Sequence, residues 1–139
     1  MKTQSTIFRF HFKSLLIAIV LFIVEVLIAL YVNDNFIRPY VGDVLVVILI
    51  YYFVKAFLHI PVWSLAIGTL IFSYIVECLQ YFNFVKLIGM ENNRLANIVI
   101  GNFFAWEDIG AYTIGITIVL VIEIYLLKHN STTTNSYNE

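Results

Sequence analysis

LLIAIVLFIVEVLIALYV, residues 15–32, decides the architecture, because Glu25 is the only charge in the run. A helix rises about 1.5 Å per residue and a bilayer's hydrocarbon core is about 30 Å thick, so a run of this length and polarity reads as a membrane span. Three more stretches repeat the pattern. Residues 41–58 carry Asp43 at the start and Lys55 near the end; residues 62–80 carry Glu77 near the end; residues 109–127 carry Glu123 late. Strands of an outer-membrane barrel need only about 9–11 residues and alternate in polarity, which these runs do not. The expectation is an all-α membrane protein with about four transmembrane helices.

Composition points the same way. Of 139 residues, 61% are hydrophobic and 12% are charged, with a mean hydropathy of +0.90, against about 45–50% apolar and about 25% charged in soluble domains. A water-soluble domain is excluded. A net charge of -1 supplies no basic field for nucleic acid. The single Cys78 and the scattered His11, His59 and His129 exclude an intramolecular disulfide and lack zinc or haem spacing. No cofactor is implied.

Local signals divide the chain. Asn33, Asp34 and Asn35 stop the first span, and Pro39 and Pro61 suit the first turns of the second and third. Residues 1–129 form a single bundle in this reading, and the Ser/Thr/Asn run 130–139 is expected to be a disordered polar tail. Lys2, Arg9, Lys13, Lys55 and Lys128 stand on one side against Arg38, Lys86 and Arg94 on the other, five against three. The positive-inside rule then puts both termini in the cytoplasm, with the first span as an uncleaved signal anchor of a multi-pass protein in the cytoplasmic (inner) membrane.

With that orientation Glu25, Arg38, Asp43, Glu77, Gln80, Arg94, Asp108 and Tyr112 gather toward the outer ends of the helices. A lone charge at a helix centre costs roughly 2.5–3.5 kcal/mol, so several in one small bundle should face one another or water. Ala66, Leu70, Ser73, Glu77 and Gln80 recur at three- and four-residue steps; Ala18, Glu25 and Ala29 form a second stripe, and Asp108, Tyr112 and Gly115 a third. These stripes are expected to meet, with Gly115 permitting close helix approach and Arg38 and Arg94 neutralising part of the carboxylate cluster. A plainer reading makes Asp43 and Asp108 first-turn acids and the two arginines headgroup anchors. Glu123 is expected to reach toward Lys128, and Trp63 and Trp106 to sit in opposite interfacial belts. Between the third and fourth spans, residues 98–106 are apolar but too short to cross; they suit an interfacial or re-entrant segment over the bundle, with Gly101 allowing a bend.

Arg38-Pro-Tyr-Val-Gly-Asp43, then Glu77-x-x-Gln80, Arg94 and Gly101-Asn-Phe-Phe-Ala-Trp-Glu-Asp108-x-x-x-Tyr112-x-x-Gly115, in this order, resemble a small bacterial membrane family catalogued as domain of unknown function 2809, over nearly the whole chain apart from the tails. More distantly, the second half is similar to the VanZ-like family, linked to glycopeptide resistance and the cell envelope. Glu77, Gln80, Arg94, Asp108 and Gly115 match that pattern, while Tyr112 stands where it has Asn. The resemblance implies an envelope-related membrane protein and supplies no catalytic mechanism.

The expected role is a binding or accessory protein of the bacterial envelope whose outward polar site holds a lipid headgroup or a lipid-linked precursor, with membrane lipids as partners. One alternative is a small membrane enzyme using Glu77 or Asp108 as general base and Arg94 against developing negative charge, with Asp43, Glu77 and Asp108 offering oxygen ligands to Mg2+ or Ca2+. A second is a proton-coupled transporter built on Glu25 and Glu77, which would require oligomerisation. The chain has no Ser/His or Cys/His pairing to favour the enzyme.

Overall fold

The computed structural model describes residues 8–100 and 105–136, with side chains described except at 98–100 and 132–136. Each apolar run folds as one helix: α1 (Phe12–Tyr31), α2 (Gly42–Phe57), α3 (Val62–Tyr81) and α6 (Trp106–Ser136). All four are long and apolar enough to cross a membrane, the second as the continuous helical stretch Ile37–Phe57 and the last as Trp106–Ser131. The protein is an all-α membrane protein with four such helices and no strand among the described residues, only an isolated bridge between Phe8 and Leu58.

The ends of the helices follow local chemistry. Phe36 N–H and Ile37 N–H donate to Asp34 Oδ1 at 2.7 and 3.2 Å, which turns the chain after α1 and holds this exposed carboxyl below the usual aspartate value. Residues Ile37–Val41, containing Pro39, form a π-helical turn that leads directly into α2. Pro61 occupies the N-cap of α3. Asn83 adopts the left-handed conformation between α3 and the short α4 (Phe84–Leu87). Asn93 Oδ1 accepts from Leu95 N–H and Ala96 N–H at 3.0 and 3.2 Å, starting α5 (Arg94–Ile100). The apolar connection between α3 and α6 thus holds two short helices, and α5 packs on α3 and α4. Residues 101–104, including the bend expected at Gly101, lie outside the described residues. The polar stretch from residue 130, read above as a tail, is helical as far as Ser136.

Helices in lipid gain nothing from burying apolar side chains against each other, so close packing and internal hydrogen bonds decide which faces meet. α2 is central, touching α1, α3 and α6, and α3 also packs on α6. The core joins Val47 and Tyr51 of α2, Leu65 and Ala66 of α3, and Ile116 and Val119 of α6. α1 contributes Ser14 and Ala18 and presents its other faces outward. A Cβ on Gly115 would lie 2.8 Å from the Val44 carbonyl and overlap the Val47 side chain, so the α6 backbone meets both backbone and side chain of α2 at this point. The two buried hydroxyls of α3 are satisfied within their own helix: Thr69 Oγ1 donates to Leu65 O at 2.8 Å and Ser73 Oγ to Thr69 O at 3.0 Å.

Direction follows from the contacts. Phe8 meets Leu58 at one end, and Gly42 faces Glu25 at the other, so α1 and α2 are antiparallel. Asp43 meets Asp108 and Lys55 meets Glu123, so α2 and α6 run the same way. Below, the near end is the one carrying Phe8, and the far end the one carrying Tyr31, Tyr81 and Trp106. Trp63 and Trp106 are exposed at opposite ends, as the belt reading expects.

Candidate functional site

Each of the four long helices sends a buried or half-buried carboxyl group to the far end, where α6 also carries the exposed Glu107. Glu25 comes from the last two turns of α1, Asp43 from the first turn of α2, Glu77 from the last turns of α3 and Asp108 from the first turn of α6. The stripes read from the sequence turn mostly inward here: Ser73, Glu77, Tyr112 and Gly115 are buried, and Glu25, Leu70, Gln80 and Asp108 are half-buried, while Ala29 of the α1 stripe is exposed.

Glu77 is the centre of the group. Its side chain is 0% exposed, and burial on this scale is tolerable only when the oxygens are bonded. Ala105 N–H donates to Oε1 at 3.1 Å, and the Tyr112 hydroxyl donates to Oε2 at 3.4 Å. The first contact ties the chain entering α6 to α3, and the second ties the body of α6 to the same carboxyl. The Asp43 carboxyl lies beside that of Asp108, and Asp108 also neighbours Glu77.

Beside this cluster lies a cleft of about 220 Å³ lined by Glu25, Arg38, Gly42 and Asp43. Glu25 Oε2 stands 3.7 Å from where a Cβ on Gly42 would be, while Oε1 is buried without a hydrogen-bond partner among the described residues. Arg38 projects from the π-helical turn and is exposed.

Arg94 begins α5 and is exposed. Neither Arg38 nor Arg94 forms an ion pair with a carboxylate among the described residues, so the expected compensation by the two arginines is not made. Hydrogen bonds from Ala105 and Tyr112 to Glu77 take its place. Gln80 follows Glu77 by one turn and is half-buried. Among the described residues no three His, Cys, Asp or Glu side chains are disposed to hold a metal ion.

One expectation is corrected. Glu123 does not depend on Lys128: its Oε2 lies 2.6 Å from Lys55 Nζ, and its Oε1 accepts from the Tyr52 hydroxyl at 3.0 Å. Lys55 and Glu123 were both legible as charges late in their spans. What was missing was that α2 and α6, separated in sequence by α3, are parallel neighbours, which brings the two residues to one level.

No solved structure matches the chain. A family model described as "Protein of unknown function (DUF2809)" matches residues 32–116. That span holds Arg38, Asp43, Glu77, Gln80, Arg94, Asp108 and Tyr112 and leaves Glu25 and Glu123 outside it. The match covers more than half of the sequence, from the end of α1 into the first third of α6, and this membrane protein belongs to that family of unknown function.

Proposed function

We propose that the protein is a binding or accessory component of the bacterial envelope, which holds the polar part of a membrane-embedded ligand at the far end of the bundle. The observation that carries this reading is the convergence of one carboxyl from each long helix around a fully enclosed Glu77. Such a cluster suits a headgroup rich in N–H or O–H donors, which carboxylates accept from. Arg38 on the rim of the adjoining cleft can take a phosphate oxygen pair, as a guanidinium does bidentately. Trp106 and Tyr81 nearby are exposed aromatic surfaces of the kind that sit at headgroup level. The more distant VanZ-like resemblance through Glu77, Gln80, Arg94 and Asp108 fits a lipid-linked envelope precursor. The positive-inside count of five basic residues against three supports an orientation with this end outside the cytoplasm.

The test is lipid retention by purified protein together with growth under cell-wall antibiotics. Glu77→Gln and Arg94→Ala are expected to lose a co-purifying lipid and any tolerance phenotype while the protein is still made and inserted. Unchanged lipid content and growth in both variants would overturn the reading. Turnover of a lipid-linked substrate by the purified protein would instead favour the enzyme alternative.

A further inference from the structure

At the near end, away from the carboxylate cluster, lies a cleft of about 580 Å³ whose walls carry Arg9, His11, Lys55, His59 and Trp63. Its single acid among the described residues, Glu123, is already engaged by Lys55 and Tyr52. The unmatched charge of the cleft is therefore that of Arg9, and the neutral hydrogen-bonding groups around it are imidazoles. Ser14 N–H donates to His11 Nδ1 at 3.2 Å, which leaves Nε2 as the proton-bearing nitrogen of the neutral ring.

Arg9 is held in place by backbone bonding. Arg9 N–H donates to Phe57 O at 3.0 Å and His11 N–H to Ala56 O at 2.7 Å, clasping the segment before α1 onto the last carbonyls of α2. These are the carbonyls an α-helix leaves without internal partners. The same contacts satisfy the negative end of α2 and fix a guanidinium over the cleft. Opposite, Pro61, Val62 and Trp63 bring the first turn of α3 to the wall. That turn has no acid and no side-chain cap, so the N–H groups at the positive end of a 20-residue helix are left without a side-chain acceptor of its own.

The cleft continues into lipid. Ile60 lines both it and a second, almost wholly apolar groove of about 540 Å³ between α2 and α3. Along α3 this groove runs from Ser64 past Gly68 to Phe72, about 12 Å at the rise of a helix. A cationic cleft at headgroup depth opening on an apolar channel toward mid-membrane is complementary to one class of molecule. We infer that the near end binds an anionic phosphate-bearing amphiphile, with its phosphate between Arg9, His59 and the start of α3 and its chain in the α2–α3 groove. The residues and the end of the bundle differ from those of the proposed far-end site, so the two stand or fall separately.

The test uses native mass spectrometry of the full-length protein in mild detergent, titrated with dioleoylphosphatidic acid, dioleoylphosphatidylcholine or inorganic phosphate. Phosphatidic acid is expected to bind in preference to phosphatidylcholine. Arg9→Gln should weaken it about fivefold, the effect of one basic residue at an anionic membrane surface. Gly68→Leu, at a position where a Cβ meets nothing within 4 Å, should block the groove without disturbing the fold and weaken phosphatidic acid as well. Inorganic phosphate should compete poorly. Equal affinity in wild type and Arg9→Gln, or inorganic phosphate competing fully with no effect of Gly68→Leu, overturns the proposal. Far-end Glu77→Gln should leave this binding unchanged.

Discussion

Lys55 Nζ and Glu123 Oε2 are 2.6 Å apart and join the near ends of α2 and α6, two helices with no direct connection in sequence. Glu123 is almost fully buried and Lys55 is about one quarter exposed, with the Tyr52 hydroxyl completing the carboxylate's bonds. Removing one partner of such a pair strands the other charge, whereas removing both charges does not. Lys55→Ala is expected to destabilise the protein by about 3 kcal/mol or more. The double variant Lys55→Met with Glu123→Gln, which keeps an acceptor for Tyr52, should recover most of that loss. Denaturant or thermal unfolding in detergent micelles checks both, and a double variant no better than the single one would contradict this account.

Gly115 is expected to tolerate no side chain. A Cβ there would lie 2.8 Å from the Val44 carbonyl, and backbone cannot swing aside as a flexible side chain can. Gly115→Ala should push α6 from α2 and cost about 1–3 kcal/mol, the usual range for overpacking. Gly68→Ala, facing open space in α3, is the control. It should be neutral or stabilise by up to about 1 kcal/mol through helix propensity. Melting temperatures of the two variants in one detergent decide the matter.

At Glu77 the chemistry of the replacement should matter more than its size. Glu77→Gln keeps one oxygen for Ala105 N–H or the Tyr112 hydroxyl, while Glu77→Leu leaves both donors buried without partners. An unsatisfied buried donor costs about 1–3 kcal/mol, so Glu77→Leu should be clearly the less stable of the pair. Tyr112→Phe, which removes a 3.4 Å bond, should cost no more than about 1 kcal/mol. The ranking is read from chemical unfolding of the three variants side by side.

Tyr51 makes the opposite prediction. Its side chain is 0% exposed and its hydroxyl has no hydrogen-bond partner among the described residues, while its ring stacks edge-on against Tyr52 at 5.2 Å. Tyr51→Phe keeps the ring and removes the unbonded hydroxyl. It should leave stability unchanged or raise it by about 1 kcal/mol, since the desolvation of the hydroxyl is no longer incurred. A loss of more than 1 kcal/mol in the same unfolding assay would mean that the hydroxyl has a partner in the membrane.

The helices and the polar stripes were legible because each depends on neighbours in sequence. Seventeen apolar residues around Glu25 make a span whatever else the chain does, and Ala66, Ser73 and Glu77 share a face because a helix turns every 3.6 residues. Composition placed the protein in a membrane by the same kind of argument. Periodicity also pointed to Gly115 as a place of close approach, though not to Val44 as the group approached.

Only the tertiary structure decided which faces and ends meet. That α2 and α6 are parallel neighbours determines that Glu123 answers Lys55 rather than Lys128, and that Asp43 stands against Asp108. That Ala105 N–H and Tyr112 reach Glu77 explains how a fully enclosed acid is satisfied without either arginine. The clasp of Arg9 and His11 on the end of α2 has no signature in the apolar pattern at all, because it is made by backbone groups. Hydropathy records how far each side chain prefers to be from water. It carries no term for which helix lies alongside, and in lipid that choice rests on shape and hydrogen bonding between residues far apart in the chain.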